Sequence, residues 1–320
     1  MEKHTVGTPY DDVFRTLMND CTGLLIPIVN EVFGENYTGK EEVEFLPNEH
    51  FISLPGTDTK EKITDSCFRI RGTKDKKYHI ECQSTADNNM TIRMFEYDSQ
   101  IALDDGEIVN GKLIVTFPHS AVVYLRHNAR TPDALTVEIN TPGGSISYRV
   151  PVMKTQTYTI KDIFDRNLLF LIPFYIFSHE SRFKEYETDE EKLQQLCAEY
   201  ESILKRLTDL CEAGEISEYV KCTLVDMSKK VIENIAMKYA NVKKGVTSIM
   251  GGKILEYEAK TILQDGIRKG KLEGELDGIR KGKIEGRLQS LVELVKDGLL
   301  SVSEAAKRLS MSEEELKKYL

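Results

Sequence analysis

Apolar residues near the start of the chain fall at Phe14, Leu17, Met18, Cys21, Leu24, Leu25, Ile28, Val32 and Phe33. This is the stripe of a helical segment laid on a core, and Pro27 predicts a kink or a division into two helices. From about residue 43 the pattern shortens to β-type runs: VEFL, CFRIRG, YHIECQ, KLIVTF, AVVYLR, LTVEI, ISYRV and TYTI. Turn-forming clusters such as Thr141-Pro142-Gly143-Gly144 separate them. One helical segment interrupts the series, Met90 to Leu103, opened by an Asn or Asp cap at 87–89. Helix first, then strands with one embedded helix, predicts an α/β or α+β core. Over 188–240 the apolar positions Leu193, Leu196, Ile203, Leu204, Leu207 and Leu210 return to helical spacing, as in amphipathic helices.

The last sixty residues follow another rule. DGIRKGKLEG at 265–274 recurs as DGIRKGKIEG at 277–286, and Gly266, Gly270, Gly274, Gly278, Gly282 and Gly286 stand four apart. On a helix, six glycines cost roughly 5–6 kcal/mol against alanine. The segment is therefore either a ridge that lets a second helix approach closely, making a homo-oligomer, or a flexible tether. Beyond it, Ser301 with Glu304 and Ser310 with Glu313 are capping-box signals of two short helices. The second would begin Glu313-Glu314-Glu315, which repels phosphate, so a packing module fits better than a DNA-reading one. The expected organisation is a domain over 1–180, a helical region over 181–260 and the glycine-spaced helix with its short tail over 261–320.

Composition narrows the class. No apolar run reaches the length of a membrane span, since Leu168 to Phe177 is too short and contains Pro173. No export signal opens the chain, and the six cysteines have no zinc-like spacing. Reduced thiols in a cytoplasmic protein are expected. The net charge of −9 argues against a general polyanion-binding surface. Locally, however, Lys60 to Gln83 holds seven basic residues against four carboxylates.

That stretch carries the candidate chemistry. CFRIRG and YHIECQ flank a polar loop and predict a hairpin. Burying Phe68 and Ile70 together with Tyr78 and Ile80 pairs Phe68 with Ile80 and Ile70 with Tyr78, across a loop at 72–76. The opposite face then carries Asp65, Cys67, Arg69 and Arg71 beside His79, Glu81 and Gln83. Asp65 and Glu81 offer the one or two carboxylates that Mg²⁺ takes, the Cys82 backbone carbonyl offers another oxygen, and Gln83 an amide to orient water. An ordinary strand pair with a solvated polar face has the same pattern, and His79, a single histidine there, reads as a bystander. Arg93 and Tyr97, four apart on the following helix, form either a phosphate contact oriented by the tyrosine or an Arg–Tyr stack or Arg93–Glu96 pair.

Asp65, the Glu81-Cys82-Gln83-Ser84 run, the RMFEYD helix start with Arg93 and Tyr97, LLFLIPFY at 168–175 and the glycine-spaced tail together resemble the recombination-promoting nuclease and putative transposase family of PD-(D/E)XK nucleases. The resemblance spans most of residues 9–180 and returns in the tail. It implies a restriction-endonuclease-like α/β core with a mixed sheet flanked by helices, and a Mg²⁺- or Mn²⁺-dependent DNA endonuclease linked to recombination or mobile elements. It implies Asp65 and Glu81 as metal ligands, Gln83 at the position of the usual lysine, and Glu31 as a candidate third carboxylate from a helix. Arg93, Tyr97, Arg69 and Arg71 are the expected DNA contacts. Because glutamine brings a dipole where lysine brings a charge, slow turnover is expected. The alternative is a catalytically inactive DNA-binding or oligomeric assembly protein on the same fold.

Overall fold

The computed structural model describes residues 9–46, 49–52, 60–63, 66–72, 75–85, 89–250, 291, 292, 294–296, 300–309, 316 and 319. The chain forms two compact units, Met1–Glu256 and Tyr257–Leu320.

The apolar stripe at the start of the first unit becomes two helices, α1 (Pro9–Asp20) and α2 (Leu25–Phe33), joined by a short 3₁₀ turn at Thr22–Leu24. The break falls before Pro27, which then sits in the first turn of α2, where its missing N–H is harmless. Gly34, at φ 68, ends α2 and donates its N–H to the Asn30 carbonyl.

A six-stranded mixed sheet follows. Its strands are β1 (Val43–Phe45), β4 (Cys67–Ile70), β5 (Lys76–Gln83), β8 (His119–Tyr124), β9 (Ala134–Thr141) and β10 (Gly144–Lys154). Their order in space is β1-β4-β5-β8-β10-β9. Antiparallel pairing joins β1 to β4 and β4 to β5. The helix α3 (Met90–Asp104) then carries the chain over one face, so that β8 returns parallel to β5. β10 lies parallel to β8 through its last residues and antiparallel to β9 through the rest. Two further hairpins, β2 (Glu49–Ile52) with β3 (Lys60–Ile63) and β6 (Glu107–Val109) with β7 (Lys112–Ile114), stand outside this sheet.

Each face of the sheet has its own core. On one side Phe68, Ile70, Tyr78, Ile80 and Cys82 pack with α1, α2 and the helices after residue 160. These are α4 (Ile160–Asp165), a 3₁₀ segment (Leu169–Arg182), α5 (Phe183–Thr188), α6 (Glu190–Glu212), α7 (Glu218–Ile235) and α8 (Ala240–Met250). The apolar run at 168–177 is thus buried beneath the sheet. Among the described residues no helix is long and apolar enough to cross a membrane. On the other side, Met90 and Met94 of α3 meet Val122, Tyr124 and Val150.

Two expectations require correction. TYTI at 157–160 is not a strand: a 3₁₀ turn at Thr155–Thr157 leads into α4, whose first turn is fixed by a reciprocal capping box between Thr159 and Asp162. The β4–β5 hairpin pairs Phe68 with Tyr78 and Ile70 with Lys76, two residues from the expected register. The residues that share each face are unchanged, because the side-chain period is two. The shift follows from the turn: Arg71 binds Asp75 at 2.9 Å and its N–H joins the Glu42 carbonyl, so hairpin pairing ends at Ile70.

In the second unit, Ser301 accepts a hydrogen bond from the Glu304 N–H at 3.2 Å and opens the helix Val302–Leu309. Its Ala305 and Ala306 pack on Leu291, Val292 and Leu316. The glycine-spaced repeat and the Ser310–Glu313 signal lie outside the described residues.

Candidate functional site

The polar face of β4 and β5 is not left to water; α3 covers it. Alternation along β5 turns Tyr78, Ile80 and Cys82 to the large core, and turns His79 and Glu81 toward α3. His79, Glu81 and Asp98 of α3 are all essentially inaccessible to solvent. His79 Nδ1 lies 2.7 Å from Asp98 Oδ1, and its Nε2 lies 3.0 Å from Glu81 Oε1. With a carboxyl group at each ring nitrogen, His79 is placed to donate from both, as an imidazolium does. Burial opposes that charge, but the hydrogen bonds and charges of Asp98 and Glu81 outweigh it and lift the His79 pKa to about 9.

The network continues in both directions. Ser120 of β8 donates to Asp98 Oδ1 at 2.6 Å, and Tyr148 of β10 donates to Asp98 Oδ2 at 3.4 Å. At the other end, Arg93 approaches Glu81 Oε2 at 3.4 Å. The Arg93 guanidinium also lies 5.8 Å from the centre of the Tyr97 ring, which meets the His79 ring edge-on at 5.9 Å. Gln83, half-buried, is the last residue of β5, and its carbonyl accepts from the Leu125 N–H. Glu81 and Gln83 thus share one face toward the carboxyl end of β5, where Arg93 meets Glu81, and β5 runs parallel to β8 there; open α/β sheets commonly bind ligands at such strand ends.

The remaining expected residues are placed differently. Asp65 lies outside the described residues. The Cys82 side chain is buried in the core and its thiol has no part in the polar face, so only its backbone carbonyl is a candidate donor. The Glu31 carboxylate is held by Tyr158 at 3.1 Å and Arg166 at 2.7 Å. The hydrogen-bond partners of Glu31 are therefore Tyr158 and Arg166 and not a residue of β5. Arg69 pairs with Glu44 and Asp105, and Arg71 with Glu44 and Asp75, toward the opposite end of the hairpin.

His79 is buried between Glu81 and Asp98 and does not face solvent, and Asp98 is a residue that the motif does not contain. A signal for Asp98 is present: it falls on the buried stripe of α3 with Met90, Met94 and Ile101, an acid in an apolar row. Among the described residues no three His, Cys, Asp or Glu side chains form a group able to hold a metal ion. The donors at this point are hard oxygens of the kind Mg²⁺ accepts, the Glu81 carboxylate and the Gln83 amide, but both Glu81 oxygens are already engaged by His79 and Arg93.

Comparison with protein-family models, curated proteins and solved structures gives no match.

Proposed function

We propose that this chain is a divalent-metal-dependent DNA endonuclease with a PD-(D/E)XK core, acting in recombination or on mobile elements. The observation that carries the reading is the support given to Glu81. A buried imidazolium between two carboxylates is a poor way to gain stability, because a well-packed apolar replacement is often as stable. It is a good way to fix one carboxylate oxygen in direction, as the hydrogen-bonded partners of metal ligands do. The donor chemistry fits a hard cation: Glu81, the Cys82 carbonyl and Asp65 would hold it, and when bound it would neutralise charge on the phosphate and lower the pKa of water. His79 holds its two protons between Asp98 and Glu81. Arg93, part-exposed and at a long 3.4 Å from Glu81, supplies a guanidinium that a DNA phosphate can recruit. Gln83 places a neutral amide beside the carboxylate, which favours slow turnover.

One observation favours the inactive alternative. The Glu81 side chain is only 1% exposed and both of its oxygens meet protein cations, His79 and Arg93. Nicking of supercoiled plasmid in Mg²⁺ or Mn²⁺ separates the two. Cleavage by the wild type that falls at least about a hundredfold in Asp65→Ala and Glu81→Ala supports the nuclease. Cleavage unchanged in both variants removes it, and a folded wild type that binds DNA without cutting selects the alternative.

A further inference from the structure

β5, β8 and β10 are parallel, so their carboxyl ends share one edge of the sheet. There the chain leaving β8 and the chain leaving β10 wall a cleft of about 590 Å³, whose lining includes His127, Asn128, Asp133, Lys154 and Tyr158. It is an open, mostly polar depression, suited to a polar ligand that keeps one side in water.

Two of its features are not explained by folding. His127 Nδ1 is buried without a hydrogen-bond partner among the described residues, although the His127 N–H is fixed by Gln156 Oε1 at 3.0 Å. Such an atom costs about 1–3 kcal/mol unless something meets it. The second is the Lys154–Asp133 pair, 2.6 Å apart, in which the lysine side chain is 17% exposed and the aspartate 92%. A sheltered cation is thus held by a counter-ion standing almost wholly in water, an arrangement that an incoming anion can replace at little cost. The Tyr158 hydroxyl is committed to Glu31, so what this residue offers the cleft is its ring.

We propose that this cleft binds a phosphate ester of nucleotide size. Lys154 takes the phosphate in place of Asp133, the His127 ring turns to bring its Nδ1, inaccessible to solvent as it stands, onto it, and the Tyr158 ring lies against the base. The phosphate has two possible sources, a free nucleotide or a nucleotide within a strand. The second is spatially natural: Arg126, adjacent to His127, donates to the Ser84 carbonyl at 3.2 Å, and Ser84 directly follows Gln83. The proposal does not require cleavage.

Fluorescence anisotropy of the full chain in EDTA tests it, with a labelled deoxynucleoside monophosphate and a short labelled single strand as probes. Lys154→Ala and His127→Ala are each expected to weaken binding about tenfold or more, the loss of one charge-assisted hydrogen bond. Asp133→Ala, which removes the competing carboxylate, is expected to tighten it about threefold or more by the same arithmetic. Its position is almost fully exposed, so this variant keeps the test decisive if Lys154→Ala fails to fold. Binding of the monophosphate identifies a free-nucleotide site, and binding of the strand alone identifies a substrate subsite. No binding of either probe, or affinities unmoved by Lys154→Ala and Asp133→Ala, overturns the proposal. No metal is present in this assay, so its outcome is separate from that of plasmid nicking.

Discussion

The His79 imidazolium makes folding stability depend on pH in a direction that can be predicted. An ordinary histidine titrates near 6.5, whereas His79 in the folded protein is raised to about 9. The folded state therefore holds the proton more tightly than the unfolded chain does. Its contribution is complete below pH 6.5 and disappears as pH rises through 9. The difference between the two pKa values corresponds to about 3 kcal/mol. His79→Gln removes the titration while leaving a side chain that can hydrogen bond. Urea unfolding of both proteins at pH 6.0 and pH 9.5 reads the term, together with the response of Glu81 and Asp98, which lose their cationic partner in the variant. Wild type is expected to lose about 3 kcal/mol more than His79→Gln across this interval. Imidazole ¹⁵N spectra give the state directly: of the six histidines, the one absent from His79→Gln should still be doubly protonated at pH 8. A stability difference that does not change with pH, or a His79 signal that titrates at or below 6.5, would refute the account of the buried charge.

Two further predictions concern the scaffold. Phe177→Ala empties a fully buried site where the ring meets Tyr10 edge-on at 5.0 Å and lies 4.6 Å beneath Arg126, so urea unfolding should show a loss of about 3–5 kcal/mol. Thr159→Ala removes the capping box of α4 and should cost about 1 kcal/mol, with hydrogen exchange quickening in the first turn of that helix before anywhere else.

Local pattern in the sequence carries the α/β class, the two initial helices, α3 and most of the strands. The faces of β4 and β5 are legible because alternation assigns Phe68, Ile70, Tyr78 and Ile80 to one side whatever the register. The register is not, since a shift of two residues preserves every face; the Arg71–Asp75 contact decides it, and that is a matter of turn geometry. TYTI has strand-type residues, yet Thr159 and Asp162 form a cap that outweighs the β propensity of Thr and Tyr. In the candidate site Glu81 and Gln83 are singled out by strand alternation and by the family resemblance, since their spacing after Asp65 is a weak signal by itself. The network around His79 cannot be found that way, because Asp98, which meets its ring, and Ser120 and Tyr148, which meet Asp98, come from three other elements and assemble only when α3 closes over the sheet. The polar face looked solvated in one dimension and is covered in three.

The packing of α1 against α7 has a consequence for biosynthesis. Lys230 of α7 reaches Asp12 of α1 across 218 residues of chain, and the core that buries Val13, Phe14 and Leu17 also includes Val231 and Ile232. At ordinary translation speeds the ribosome needs about 10–40 s to make the intervening chain. Throughout that interval the part of the α1 face that α7 covers lacks its native partner, although Phe14 can already meet Phe170, so the burial of this helix is completed only late in synthesis.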